Sequence, residues 1–306
     1  MTRAMRTIKK YFKEPLWKRQ HRWRAAIWRG MARLGLSGLH GLPMHGRWVD
    51  IHRRRMPLAN LDQAFEGYRL VQISDLHFSP LVTRSYLIQM IELVNKQRPD
   101  IVVVTGDLLT GGHQFVNGIT HLLERIKATD GVIATFGNHD YTLRGKKQWH
   151  IGQRLSDRLE SHLEKHKINV LRNEQTILKR GKGEVVIVGL DDEWTGRLDP
   201  VQGFAEANRD LPIICLNHNP VNARELLEFP WQWMLAGHTH GRSLEEMKVR
   251  GKVIRKGRPF VAGYYEVEPG RHLYVNRGLS YGDGRHGKKN RPEITVFKLA
   301  VADAVG

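Results

Sequence analysis

Five short apolar segments of this chain each run directly into a small group of Asp, His, Asn and Gly residues. The five junctions read RLVQIS-DLH, IVVVT-GD, VIATF-GNHD, PIICLN-HNP and WMLA-GHTHG, and they fall between residues 69 and 241. Short runs rich in Val and Ile favour strands that are buried on both faces. Segments of helical period, such as 84–97 and 147–167, lie between them. This alternation predicts an α/β architecture. The runs 174–180 and 184–190, joined by Gly-Lys-Gly, predict an antiparallel hairpin.

The polar groups stand where the predicted strands end. In open α/β sheets, the loops that leave the carboxyl ends of strands gather at one site. Each group alone is explained by a capped turn or the start of a loop, but that explanation would have to hold five times in succession. We therefore expect one convergent site, formed by Asp75, His77, Asp107, Asn138, His139, Asp140, His218, His238 and His240.

The side chains of this expected site are carboxylates, an amide and imidazoles. The only cysteine is Cys215, so a metal site built from several thiolates is excluded. Oxygen and imidazole donors suit Mn, Fe, Zn or similar divalent ions. Alternate residues of an extended segment point the same way, which predicts that Asp75 and His77 bind one ion together. His238 and His240 share that spacing, but each could serve a different ion.

The ordered set of motifs resembles that of the calcineurin-like metallophosphoesterases, over about residues 69–299. The resemblance implies a four-layer αββα sandwich, an α/β (α+β) fold with two mixed β-sheets flanked by helices. It also implies two divalent metal ions, with manganese expected and Fe, Zn or Co as alternatives. The implied ligands of the first ion are Asp75, His77, Asp107 and His240, and those of the second are Asp107, Asn138, His218 and His238.

The resemblance further implies a bridging hydroxide as the nucleophile, because two dications lower the pKa of a shared water. His139 would stand beside the phosphate and protonate the leaving group. Many family members carry an acid three residues after the bridging aspartate, but here that position is Thr110. Either Asp140 takes the place of that acid, or His139 lacks a carboxylate partner. Arg242 replaces a frequent glycine, and it either clamps a second phosphate or points to solvent.

The net charge of +18 is concentrated at the N-terminus, where residues 1–55 contain 15 Lys and Arg against two acids. We predict a basic extension over residues 1–60 and a metallophosphoesterase domain over residues 61–306. Residues 16–36 fit a basic amphipathic helix, and its tryptophans favour an anionic membrane surface. Packing on the protein itself or contact with nucleic acid are the alternatives for this segment. No run reaches the ~18 apolar residues of a membrane span, and we expect a cytoplasmic protein, peripheral on the inner membrane face.

Within the superfamily, the motif spacing and the His218-Asn219-Pro220 sequence resemble small bacterial membrane-associated phosphodiesterases more than protein phosphatases. This implies hydrolysis of phosphodiester or pyrophosphate bonds. A lipid-linked substrate would suit the basic extension, and UDP-2,3-diacylglucosamine pyrophosphate hydrolysis in lipid A synthesis is one such activity. Nuclease activity is a further alternative. Residues beyond 55 carry 34 basic and 29 acidic side chains, which argues against a long nucleic-acid groove, so we do not expect nucleic acid as a partner. A metal-free scaffold is disfavoured because every expected ligand position is filled.

Overall fold

The computed structural model describes residues 49–141, 149–249, 252–280 and 291–302. The strands are β1 Asp50–Leu58, β2 Arg69–Ile73, β3 Ile101–Thr105, β4 Val132–Thr135, β5 Ile168–Val170, β6 Glu174–Arg180, β7 Gly183–Gly189, β8 Ile213–Leu216, β9 Trp233–Ala236, β10 Leu244–Val249, β11 Lys252–Gly257, β12 Gly263–Glu268, β13 Arg271–Val275 and β14 Glu293–Val301. The α-helices are α1 Arg84–Lys96, α2 Val116–Leu123, α3 Trp149–Lys165 and α4 Pro200–Gly203. Short 3-10 turns lie at Gln63–Phe65, His113–Phe115, Asn138–Tyr141, Glu193–Thr195, Pro220–Asn222 and Glu225–Glu228.

The strands form two six-stranded sheets and a separate hairpin. The first sheet has the order β1-β14-β2-β3-β4-β5, in which β2 to β5 are parallel and β14 is antiparallel to β2. The second has the order β12-β13-β9-β8-β7-β6, with a parallel centre and an antiparallel pair at each edge. Among the described residues, strands β10 and β11 pair with each other and with no third strand. Both sheets are therefore mixed, as expected.

Three apolar clusters hold the layers together. The cluster between the sheets includes Val103 of β3, Ile187 of β7 and Phe297 of β14. The outer face of the first sheet packs against α1, α2 and α3. The outer face of the second sheet is covered by short turns, through residues such as Phe204 and Trp231. Burial of apolar surface on both faces of each sheet confirms the four-layer arrangement, although the described helices on the second sheet are short.

The strand and helix predictions around the motifs are confirmed, including the hairpin formed by β6 and β7. The predicted boundary near residue 60 is corrected, because β1 at Asp50–Leu58 pairs with β14 along its whole length. Its consecutive arginines are exposed on an edge strand, whereas Met56 and Leu58 are buried. The charged side chains on that edge interrupt the apolar pattern by which a strand is predicted. Residues 16–36 lie outside the described residues, and among those described no helix has the length and apolar composition needed to cross a bilayer.

Candidate metal centre

The five polar groups lie at the carboxyl ends of parallel strands from both sheets. Three of them follow β2, β3 and β4, which are neighbours in the first sheet, and two follow β8 and β9 of the second. The two sheets meet next to this edge, where the amide of Gln72 donates to the carbonyl of Ala236 at 2.9 Å. One edge of the sandwich therefore collects all five groups, as the sequence predicted.

Asp107 stands at the middle of the collected side chains and is almost fully buried. Its Oδ2 lies 3.3 Å from Nε2 of His77 and 3.3 Å from Nε2 of His218. Its other oxygen, Oδ1, accepts a hydrogen bond from the backbone N–H of His139 at 2.9 Å. One carboxylate thus faces imidazoles from two different sheets.

A second carboxylate, Asp75, lies beside two histidines. Its Oδ1 is 3.3 Å from Nε2 of His240, and the Nε2 atoms of His77 and His240 are 3.2 Å apart. Its Oδ2 accepts hydrogen bonds from the Ser74 hydroxyl at 2.6 Å and from the backbone N–H of His238 at 3.0 Å. One ligand atom from each of Asp75, His77 and His240 fits within a 4.8 Å cluster, which is a size that suits one metal ion.

Several buried oxygen and nitrogen atoms of metal-ligand type in this centre have no hydrogen-bond partner among the described residues. They are Asp75 Oδ1, Asn138 Oδ1, His218 Nε2 and His238 Nε2. Leaving a buried polar group unsatisfied costs about 1–3 kcal/mol, so four such atoms at one place require an explanation. A cation supplies it, because each of these atoms offers a lone pair. The residues present therefore fit a divalent metal site.

The backbone at the centre is strained in a consistent way. Among the described residues, nine non-glycine residues have positive φ, and five of these are predicted ligands: Asp75, His77, Asp107, His238 and His240. Left-handed conformations at non-glycine residues cluster at functional sites because the surrounding fold must impose them. The side chains of Asp75 and His77 therefore converge through left-handed turns. The extended geometry from which we predicted their convergence is wrong.

Two glycines allow the ligand-bearing loops to touch. A Cβ on Gly237 would collide with the Ser74 hydroxyl and the carboxylate of Asp75. Gly106 has a φ of +84°, and a Cβ there would collide with the ring of His218. Because any side chain at these positions would push a ligand away, the glycines of GD and GHTHG are required for close approach as well as for a tight turn.

Burial and neighbouring charges set the protonation of the ligands. Desolvation lowers the pKa of His77 to about 3, so its ring is neutral and able to ligate at neutral pH. Desolvation also acts to lower the pKa of His218, but Asp107 beside it raises that pKa well above the usual value, so a bound cation would take the place of the proton on Nε2. Desolvation acts to raise the pKa of Asp107, but His218, His139 and His77 together hold that pKa well below its usual range. Asp107 is therefore an anion, held where a cation belongs.

The carboxylate of Asp140 is fully buried beneath the centre. Its two oxygens accept backbone hydrogen bonds from Leu109 and Gly137, each at 3.0 Å, and so tie two ligand-bearing loops together. Burial, followed by the charge of Asp107, raises the pKa of Asp140 to about 8. Asp140 thus acts as a positioning residue in this structure, whereas the sequence suggested that it could orient the ring of His139.

His139 and Thr110 occupy different surroundings from those that the motif pattern suggested. The ring of His139 is half-buried and meets the ring of His77 edge-on, with 4.8 Å between centroids. Thr110, at the position of the family's acid, donates its hydroxyl to the carbonyl oxygen of His77 at 3.1 Å. Thr110 therefore supports the ligand His77.

Residues 68–242 match the family described as "Calcineurin-like phosphoesterase", and they contain every one of the predicted ligands. The chain is a calcineurin-like phosphoesterase. It is 30% identical over 244 residues to the uncharacterized metallophosphoesterase YkuE of Bacillus subtilis, covering 78% of this chain and 81% of that protein. It is 29% identical over 261 residues to the phosphodiesterase YaeI of Escherichia coli, covering 82% and 88%.

A third relative of this phosphoesterase is the UDP-2,3-diacylglucosamine pyrophosphatase LpxG of Chlamydia trachomatis. It is 29% identical over 285 residues, covering 78% of this chain and 86% of that protein. Membership of the family makes the protein a metallophosphoesterase and implies divalent metal ions.

Sequence reasoning missed a sixth strand end of the phosphoesterase, the loop that follows β7. Trp194 of this loop meets the ring of His238 edge-on at 4.6 Å and is 47% exposed. Asp192 is buried, and its Oδ2 has no partner among the described residues. The signal was present, because VVIVGL runs into Asp191-Asp192 just as the other strands run into their polar groups. The segment was interpreted only as half of a hairpin.

Arg242 is half-buried, and its backbone N–H donates to the carbonyl of Thr239 at 2.9 Å. That bond closes the turn that carries His240. Its predicted role as a clamp for a second phosphate stays a prediction.

Proposed function

We propose that this phosphoesterase uses two divalent metal ions to hydrolyse phosphodiester or pyrophosphate bonds. The observation that carries the proposal is the position of Asp107 Oδ2, at 3.3 Å from ring nitrogens of both His77 and His218. Two groups of ligand atoms therefore share one carboxylate oxygen. A shared anion is what two dications ~3.5–4 Å apart require between them.

The ligands divide around this shared oxygen. Asp75, His77 and His240 would complete the first ion site with Asp107, and their mutual contacts support that grouping. Asn138, His218 and His238 would complete the second, which accounts for the unpartnered atom that each of them holds. The neutral amide of Asn138 limits the negative charge around the ions and keeps them electrophilic. This donor set favours manganese and also accepts Fe, Zn or Co.

The bound ions would lower the pKa of a water that they share and so supply hydroxide near neutral pH. The remaining chemistry falls to His139. Its backbone N–H is fixed on Asp107 Oδ1, and its half-buried ring borders His77, a position from which it can protonate the departing oxygen. Because both oxygens of Asp140 accept hydrogen bonds from backbone N–H groups, Asp140 does not orient the ring of His139. This favours leaving groups that need little protonation, such as those of pyrophosphates.

The surroundings of the centre suit an amphiphilic substrate. Exposed apolar side chains stand in three of the loops around the centre and at the start of the strand that follows a fourth: Leu81, Trp194, Val221 and Leu244. Each lies within three residues of an arginine, namely Arg84, Arg197, Arg224 and Arg242. Apolar groups beside arginines match the acyl chains and phosphates of an anionic lipid. We include in the proposal an anionic membrane surface, bound through residues 16–36, on the inner membrane face.

The specific lipid that we propose as the second candidate is UDP-2,3-diacylglucosamine. It joins a pyrophosphate, whose leaving group needs little protonation, to two acyl chains that would meet the apolar side chains. The similarity to a pyrophosphatase named for this substrate supports the choice. Mass spectrometry of the products should detect UMP release by metal-loaded enzyme. If that enzyme cleaves other diesters but releases no UMP, the lipid assignment fails while the two-metal proposal stands.

Metal removal and reconstitution test the proposed reaction. The protein is stripped with a chelator, reloaded with Mn²⁺, and assayed with bis(4-nitrophenyl) phosphate and 4-nitrophenyl phosphate. We expect diester hydrolysis to disappear on stripping, to return with Mn²⁺ and to exceed monoester hydrolysis. Activity that survives complete stripping, or a preference for the monoester, would contradict the proposal. Single-stranded DNA in the same panel detects a nuclease.

Flotation on anionic vesicles tests the membrane surface. The full chain should float with the vesicles, and a chain that lacks residues 1–48 should float less. Equal flotation of the two forms would show that the N-terminal segment does not carry the binding.

A further inference from the structure

A second group of side chains that can bind a metal lies on the outer helical layer. It is separate from the strand-end centre, the site around Asp75 and Asp107. His121 stands in the last turn of α2, Glu124 follows the end of that helix, and His166 follows the end of α3. One nitrogen from each histidine and one carboxylate oxygen of Glu124 lie within 4.8 Å of one another. His121 and Glu124 are exposed, and His166 is half-buried.

The separation between His121 and Glu124 equals that between two ligands of a tetrahedral ion. Nδ1 of His121 lies 3.4 Å from Oε2 of Glu124. Ligands at the ~2.0–2.2 Å bond lengths of zinc stand roughly 3.3–3.5 Å from each other in a tetrahedron. The rings of His121 and His166 are 5.3 Å apart between centroids, which brings the third ligand into the same space. Small side-chain rotations at an exposed site would complete the geometry.

His166 is already oriented as a ligand. Its Nδ1 lies 2.8 Å from the backbone carbonyl oxygen of His162, and a carbonyl can only accept a hydrogen bond. The neutral ring therefore carries its proton on Nδ1 and keeps the Nε2 lone pair available. A hydrogen bond from the second ring nitrogen to a carbonyl is the usual support of a metal-ligating histidine.

The local field also favours a cation. The last turn of α2 carries His121, and α3 ends one residue before His166. The carbonyl groups at the C-terminal ends of both helices give this place a partial negative charge. A dication would therefore interact with two helix ends as well as with the carboxylate of Glu124.

We propose that His121, Glu124 and His166 bind a zinc ion that joins the ends of α2 and α3. Two imidazoles and one carboxylate, with water as the fourth ligand, suit zinc better than magnesium or calcium, which prefer oxygen ligands alone. Because the ion binds the folded chain, it stabilises the helical layer. This site is independent of the proposed function.

Zinc content per chain, measured by elemental analysis after dialysis against buffered zinc, tests the proposal. The comparison is between the full-length wild type and the double variant His121→Gln/His166→Gln, so that zinc in the strand-end centre cancels. We expect the double variant to bind one zinc fewer per chain and to show a smaller rise of Tm on addition of zinc. Its diester hydrolysis, assayed with Mn²⁺, should be unchanged.

The control is His162→Gln, which removes a neighbouring ring on α3 but retains the carbonyl that supports His166. It should bind as much zinc as the wild type. The single variant Glu124→Gln, at an exposed position, gives a second reading if the double variant does not fold. Equal zinc content in the wild type and in the folded variants, or an equal loss in His162→Gln, would overturn the proposal.

Discussion

Two histidine clusters of this phosphoesterase have similar donors in opposite surroundings. The strand-end cluster is buried around Asp107 and stands on left-handed backbone. The helix-end cluster around His166 is largely exposed and stands on regular helix ends. A buried ligand atom without a hydrogen-bond partner costs free energy of folding, so the first cluster is held ready for ions before they bind. In the second cluster, water satisfies the donors, and an ion would have to compete with it. Donor type alone therefore does not distinguish a buried metal centre from a surface site.

The largest effect is expected from Asp107→Asn. The change removes the anion shared by the two ligand groups, and the loss should exceed the ~10–100-fold that is typical of residues that merely support a metal ligand. We expect diester hydrolysis to fall by about 10³-fold or more, with less metal bound per chain. Steady-state assays with bis(4-nitrophenyl) phosphate measure this. A variant with near-normal activity would refute the shared carboxylate.

The matched control is Asp157→Asn, at an exposed aspartate of α3 that pairs with Arg172 at 3.3 Å. It makes the same chemical change at the surface. Its activity and metal content should remain those of the wild type.

His139→Gln is expected to have the next largest effect, and it separates a proton donor from a ligand within the buried cluster. We expect kcat to fall by roughly 10²-fold on diesters with poor leaving groups, with less change on nitrophenyl esters. The metal content should not change, because His139 is not among the proposed ligands. Loss of one ion together with activity would make His139 a ligand and redraw the centre.

Gly237→Ala tests whether the backbone organises the buried cluster. The added methyl group would collide with Ser74 and Asp75, so we expect destabilisation by about 1–3 kcal/mol and weaker metal binding. Chemical unfolding of the metal-free and metal-loaded forms measures both effects. Gly257→Ala is the control, since a Cβ at Gly257 meets nothing within 4 Å. Equal stability of the two variants would show that the loop at Gly237 adjusts freely.

Trp194→Ala should have the smallest effect, because Trp194 borders His238 without being a ligand. We expect KM for an acylated or aromatic substrate to rise a few-fold, while kcat changes little. Trp194→Phe should retain most of the affinity, since an aromatic ring keeps the apolar contact. An effect on kcat alone would point to an influence on His238.

Most strands of the two sheets, the order of the motifs and the types of side chain at the centre could be predicted from the sequence. Apolar runs that end in Asp, His and Asn are expected where strands are buried and their ends line a site. Each such pattern lies within a short stretch of sequence. Asp192 and Trp194 follow the apolar run of β7 in the same way. They are not among the site residues predicted from the sequence, because that run is interpreted there as half of a hairpin. Strand β1 was missed because its arginines read as an extension, whereas its pairing with β14 is a contact between distant parts of the chain.

How the predicted ligands meet depends on tertiary contacts. The fold imposes positive φ on Asp75, which its sequence does not favour, and uses Asp140 to tie loops together. It also brings His166 to His121, residues that are far apart in sequence and belong to different helices. A strand can be predicted from its own apolar residues. The close approach of side chains from different strands depends on packing across the whole sandwich.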